Sequence, residues 1–116
     1  MMRIVARAKL HGLRITDTQL NYGGSLTLDA DLMAAADILA GERAQIVSLS
    51  NGSRIETYAI EGEAGSGVCV PNGPAARMGE VGDTVHVIVY GIAEAGEETR
   101  GLPRTIQVDE HNRVRS

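Results

Sequence analysis

At 116 residues and 43% hydrophobic content the chain is long and apolar enough to bury one core, which excludes a disordered tail. With no Trp, no Phe and three Tyr, that core is aliphatic and offers bases no stacking platform, and a formal charge of −4 argues against a nucleic-acid partner. Cys69 is the single cysteine, so neither an intrachain disulfide nor a thiolate-rich metal site can be assembled, and the expected setting is a reducing cytoplasm.

Arg3 to Leu10 alternates, with Ile4, Ala6, Ala8 and Leu10 facing one way and Arg3, Val5, Arg7 and Lys9 the other, which predicts a half-buried strand. The same cations interrupt every apolar run, which argues against a signal peptide, and no later stretch is apolar enough to span a bilayer, so no membrane partner is expected. Leu26 to Leu28 reads as a short strand. Asp29 then caps a helix, with Asp31 in its first turn, a buried stripe of Leu32, Ala35, Ala36 and Leu39, and Gly41 as its stop. Ala44 to Leu49 and Arg54 to Ile60 flank Asn51-Gly52, the signature of a type I′ hairpin. Along the second of these strands Arg54, Glu56, Tyr58 and Ile60 share a face, opposite Thr57. Val68 to Val70 is a further strand, stopped by Pro71-Asn72-Gly73-Pro74 before one helical turn over Ala75 to Met78. Thr84 to Tyr90 sets Val85, Val87 and Val89 against His86, Ile88 and Tyr90. Ala93 to Gly101 is an acidic solvated loop, Thr105 to Val108 a last strand, and Asp109 to Ser116 a polar tail. Short strands at close spacing around one helix predict a mainly β fold, a small barrel forming a single domain over residues 1–116.

Several chemistries drop out. His11, His86 and His111 have no ligand-like spacing, so no metal is expected. A Ser-His-Asp hydrolase would need a Gly-x-Ser-x-Gly elbow, and Ser25 lacks the closing glycine. Gly65-Ser66-Gly67 has neither the Lys nor the helix of a phosphate-binding loop. What remains is an ordered set: Lys9-Leu10-His11, Tyr22-Gly23-Gly24-Ser25, Arg54 with Thr57-Tyr58, and Asn72-Gly73 leading into Ala75-Ala76. Gly24-Ser25 is its centre. The glycine pair frees the backbone for strained conformations in which the Ser25 hydroxyl approaches the Gly24 carbonyl.

In order and spacing this set resembles the bacterial pyruvoyl-dependent aspartate 1-decarboxylases, over roughly residues 1 to 92. The resemblance implies a six-stranded double-psi β-barrel with one or two short helices, assembled as a homotetramer with sites between subunits. It also implies self-cleavage, in which Ser25 attacks the Gly24 carbonyl and leaves a β chain of residues 1–24 and an α chain of residues 25–116. The former Ser25 becomes a pyruvoyl group, a covalent cofactor that forms a Schiff base with the substrate amine, takes up the electron pair released with CO2, and makes pyridoxal phosphate unnecessary. The implied reaction converts L-aspartate to β-alanine for pantothenate biosynthesis.

The same resemblance distributes roles. Tyr58 matches the proton donor, and a phenol keeps its proton at neutral pH. Thr57 matches a residue of self-processing and substrate contact, Gly73, Pro74 and Ala75 match the loop that holds substrate, and His11, Tyr22 and Asn72 match residues lining the site. Arg54 suits the carboxylate that aspartate keeps: a bidentate grip there only positions the substrate, whereas gripping the departing carboxylate would stabilise the ground state. Lys9 is a second cationic contact. Pro74 is a departure, since the family usually carries alanine there and proline has no N–H to donate. Two readings therefore stand: a self-processed aspartate decarboxylase, and a non-catalytic small β-barrel, a binding or interaction module that keeps the fold without the chemistry.

Overall fold

The computed structural model describes residues 1–115. In chain order the elements are β1 (Arg3–Arg14), β2 (Leu26–Asp29), α1 (Ala30–Ala36), β3 (Arg43–Ser48), β4 (Arg54–Gly62), β5 (Cys69–Pro71), a 3₁₀ helix (Gly73–Met78), β6 (Thr84–Ala93) and β7 (Arg104–Gln107). All seven strands join one sheet in the order β5-β2-β4-β3-β6-β1-β7. That is one strand more than the six implied by the resemblance, because the edge strand β7 pairs in parallel with β1 over Ala8 to His11. The sheet is mixed: β2 runs parallel to β4 and antiparallel to β5, while β3, β4, β6 and β1 pair antiparallel.

Alternation drives the curl. Val85, Val87 and Val89 of β6 are fully buried, as are Ala44 and Ile46 of β3, Ala59 of β4 and Leu26 and Leu28 of β2. They meet Leu10, Leu13, Leu32 and Met33 in one aliphatic core. Each fully buried branched side chain there contributes about 1.5–3 kcal/mol of transfer free energy.

Four local expectations change. In β1, Ile4 is 77% exposed although Ala8 and Leu10 are buried. The register against β6 slips between Ala6 and Ala8, and the extra residue changes the phase of the alternation. Helix α1 ends before Leu39: Asp37 takes a left-handed conformation and donates to the Ala34 and Met33 carbonyls, so Ile38 enters the core and Leu39 stays exposed. The β3–β4 connection is not a two-residue type I′ turn. Asn51 is drawn into other bonds, its Nδ2 donating to the Met78 carbonyl at 2.8 Å and its Oδ1 accepting from Ser53 N, and Gly52 alone takes positive φ there. Finally, the tail is polar but anchored. Asn112 is buried, its Oδ1 accepting from Arg14 N and its Nδ2 donating to the carbonyls of Arg14 and Gly67, all at 2.8 Å; Ser116 lies outside the described residues.

Asp29 does cap α1 as expected, accepting from Asp31 N, and also accepts from Gly65 N and Gly67 N. Burial opposes its ionisation, but these backbone donors outweigh that and hold the carboxyl below the usual carboxylate range.

Candidate active site

Ser25 is the last residue before β2, and only 1% of its surface is exposed. Its φ of 99° and the 139° of Gly24 put the Gly24-Ser25 link in a region that side-chain-bearing residues rarely occupy. Three bonds hold it there. Ser25 N donates to Thr57 Oγ1 at 3.1 Å, Asn72 Nδ2 donates to Ser25 Oγ at 3.0 Å, and Asn72 N donates to the Ser25 carbonyl at 2.9 Å. Every polar group of Ser25 is thus engaged, and the strain is held by its surroundings.

The strands explain these contacts. Parallel pairing of β2 with β4 sets Leu26 beside Ala59, which brings Thr57, on the inward face of β4, to Ser25. Thr57 points away from Arg54 and Tyr58, as alternation requires, and the β3–β4 register is unbroken, so no bulge is needed for it to reach the site. Asn72 is aimed by a second bond, Nδ2 to Thr27 Oγ1 at 2.9 Å. Gly73 closes the arrangement from behind. A methyl group there would stand 2.5 Å from the Tyr22 carbonyl oxygen and 2.9 Å from Gly24 N, and its φ is 62°, so only glycine lets the 3₁₀ helix pack against the 22–24 segment.

A cavity of about 290 Å³ opens over the link, lined by Gly23, Gly24, Ile55, Glu56, Thr57, Tyr58, Asn72, Pro74 and Ala75. Pro74 sits in the first turn of the 3₁₀ helix, where its missing N–H costs the helix nothing. The cavity wall loses a donor at that point.

Lys9, His11 and Arg54 do not line this cavity, and Tyr22 is exposed beside it. The first three lie on the outer face of β4-β3-β6-β1, where pairing places Arg54, Val47 and His86 in one row and Glu56, Gln45, Ile88 and Lys9 in the next. Tyr58 belongs to both regions, since it is on the outer face of β4 and at the cavity rim. His11 and Gly12 form a bulge opposite His86; the imidazoles stack with centroids 4.0 Å apart, and Gly12 N donates to His86 Nδ1 at 3.0 Å. Burial, then the neighbouring His11 and Lys9, push His86 down to about 4, and burial followed by Lys9 lowers His11. Both rings are neutral at physiological pH.

Thr27, Gln45 and His86 escaped the sequence-based assignment. Thr27 acts through Asn72, two residues from Ser25 in the chain but meaningful only once β5 lies beside β2. Gln45 and His86 are ordinary strand residues until the neighbouring strands place Arg54 and His11 against them.

A mixed sheet curled around a single aliphatic core, with its cavity at a strained Gly-Ser link, defines a small β-barrel protein of the double-psi type. The crystal structure of the computationally designed protein msDPBB_sym2 has the same fold, with a TM-score of 0.51 at 15% identity, covering 77% of this chain and 99% of that one. A sequence model of the aspartate decarboxylase family matches residues 1–115, and the chain belongs to that family. It is 50% identical over 114 residues to the aspartate 1-decarboxylase of Moorella thermoacetica, covering 98% of this chain and 89% of that protein. The corresponding proteins of Bacillus cytotoxicus and Thermoanaerobacter pseudethanolicus are each 46% identical, covering 98% and 97% of this chain and 90% and 97% of theirs.

Proposed function

We propose that this chain is a carboxy-lyase that converts L-aspartate to β-alanine and CO2 for pantothenate biosynthesis, and that it does so after cutting itself between Gly24 and Ser25. Family membership over residues 1–115 supports the reaction. The observation that carries the self-cleavage is the strained, buried Gly24-Ser25 link gripped by Thr57 and Asn72.

In the proposed cleavage Ser25 Oγ bonds to the Gly24 carbonyl carbon, the Gly24 C–N bond breaks, and Ser25 N takes up a proton to become an amine. Elimination and hydrolysis then leave Gly24 as a carboxylate and residue 25 as a pyruvoyl terminus, with one water consumed and one ammonia released overall. Asn72 donates to Ser25 Oγ and so leaves the serine proton and a lone pair free to reorganise. Thr57 Oγ1 accepts from Ser25 N–H, which fixes the amide that must become the leaving group, and the threonine keeps its own proton to give to the oxygen building on Gly24. No histidine or carboxylate hydrogen-bonds to Ser25 Oγ among the described residues, so ground-state strain and donor placement carry the step.

The pyruvoyl group supplies a ketone that serves as an electron sink for decarboxylation. It fits the site, because residue 25 is enclosed and its side chain already faces the Asn72 amide donor. Around it Ala75 and Pro74 form the apolar wall, and Tyr58 at the rim holds the proton that returns to carbon after CO2 leaves. Arg54 grips the carboxylate that aspartate retains, with Lys9 as a second cation.

Arg54 and Lys9 lie outside the cavity of their own chain, and Arg54 is four positions along the strand from Tyr58, about 13 Å. Outer-face cations of one copy therefore serve the cavity of another, in a homotetramer of processed chains. Its seam is the exposed apolar surface around Ile4 and Ile92. No helix is long and apolar enough to cross a membrane among the described residues, and a cytoplasmic enzyme is proposed. The test is direct: purified protein incubated with L-aspartate and no added cofactor should release CO2 and β-alanine, and the Ser25→Ala variant should release neither. Turnover by Ser25→Ala would refute the reading.

A further inference from the structure

Arg54 does not stand alone on the outer face. Its Nη1 donates to Gln45 Oε1 at 2.8 Å, and the Tyr90 hydroxyl donates to the same oxygen at 2.7 Å. Strand pairing makes this possible: Gln45 lies directly opposite Glu56 on β4 and Ile88 on β6, so Arg54 and Tyr90 are its diagonal neighbours on the two flanking strands. Arg54 is exposed and long, and without a partner it would sample many rotamers. Gln45 is half-buried and tied at the oxygen by Tyr90, so it is the fixed member of the pair.

The chemistry of the acceptor matters as much as its place. A glutamine carbonyl takes one of the five guanidinium N–H groups and carries no charge, which leaves Arg54 a full positive charge and further donors for a bidentate grip. A carboxylate in the same place would neutralise it. One such group is nearby, because Glu56 shares the outer face with Arg54, but its ionic neighbour is Arg43, diagonal to it on β3 at 4.0 Å, with both side chains exposed. Arg54 forms no ion pair among the described residues, so Gln45 holds it with its charge unneutralised.

We propose that Gln45, anchored by Tyr90, is a positioning residue for substrate recognition: it presents Arg54 preorganised and unneutralised to the retained carboxylate of a dicarboxylate substrate. This rests on the reading of Arg54 as the carboxylate grip. Gln45 touches no reacting atom, so its effect falls on binding and not on the chemical step.

The experiment compares the self-processed protein with its Arg54→Leu, Gln45→Glu, Gln45→Leu and Tyr90→Phe variants. Three quantities are read: calorimetric Kd for succinate, a dicarboxylate with no amine to react, and KM and kcat for L-aspartate. Arg54→Leu should weaken succinate by at least ~100-fold. Gln45→Glu, which pairs the charge, should weaken it by about tenfold, Gln45→Leu by about fivefold and Tyr90→Phe by about twofold to threefold, with KM following and kcat within about twofold of wild type. If Arg54→Leu weakens succinate while both Gln45 variants stay within about twofold of wild type, Gln45 has no positioning role and the Arg54 reading survives. If Arg54→Leu itself leaves succinate binding unchanged, the Arg54 reading fails and takes this proposal with it. A fall in kcat at unchanged Kd would also overturn the proposal. Should Gln45→Leu fail to fold, Gln45→Glu and Tyr90→Phe decide the matter alone.

Discussion

Thr57 and Arg54 belong to the same strand, and their side chains leave it into unlike surroundings. Thr57 turns inward, where Ser25 is almost wholly buried, each of its polar atoms has a partner and the backbone is held at positive φ. Arg54 turns outward, exposed, onto a sheet face shared with half-buried Lys9, Gln45 and a stacked imidazole pair. Bond-breaking chemistry requires preorganised donors and stored strain, which only a packed interior can maintain. Recognition of a charged substrate requires cations that are free until the substrate arrives, which an outer face can offer. In the proposed reaction one strand of alternating residues serves both needs.

Substitutions on the two sides should therefore fail in different ways. The largest effect belongs to Tyr58, which touches both regions: Tyr58→Phe should lower kcat by about 10²-fold or more while cleavage at Gly24 proceeds normally, measured by turnover alongside the fragment pattern. Next is the interior. Thr57→Val leaves the buried Ser25 N–H without an acceptor, costing about 1–3 kcal/mol, and should slow self-cleavage about tenfold to 100-fold in a time course of fragment appearance. On the outer face, Lys9→Gln should raise KM for aspartate about fivefold and leave the cleavage rate unchanged. A Lys9 variant defective in cleavage would erase the distinction between the two regions.

The smallest effect concerns the imidazole pair. The folded-state value of His86 is depressed to about 4, so the unfolded chain binds more protons than the folded one below the ordinary histidine value of 6.5. Stability should accordingly fall as pH drops from about 6.5 towards 4, by something on the order of 1 kcal/mol, and His86→Leu should remove that part of the decline. Thermal melts at a series of pH values test this, and parallel slopes for the two proteins would contradict it.

Much of this arrangement is legible in the sequence, and the exceptions have physical causes. The valines of β6 alternate without interruption, so their burial follows from period alone. Asp29 announces the helix start because capping is local chemistry. The phase change in β1, the early end of α1 and the recruitment of Asn51 by Met78 depend on contacts distant in the chain, which no window of neighbouring residues contains. In the site, the order of Lys9, Ser25, Arg54, Tyr58 and Asn72 marks the family, but sequence order does not reveal which face each residue occupies. Alternation does reveal that Thr57 opposes Arg54. That this turns Thr57 towards Ser25 requires β2 to lie beside β4, a pairing separated by a helix and a whole strand.

The proposed activity depends above all on the Gly24-Ser25 link being its own first substrate. Intact mass spectrometry of the purified protein, incubated until the pattern is constant, measures this most directly. The predicted result is two species divided at Gly24: residues 1–24 with a free carboxylate, and residues 25–116 lighter by one ammonia than a free serine terminus would make them, with a terminus that reacts with carbonyl reagents. A single full-length species that persists and resists such reagents would contradict it.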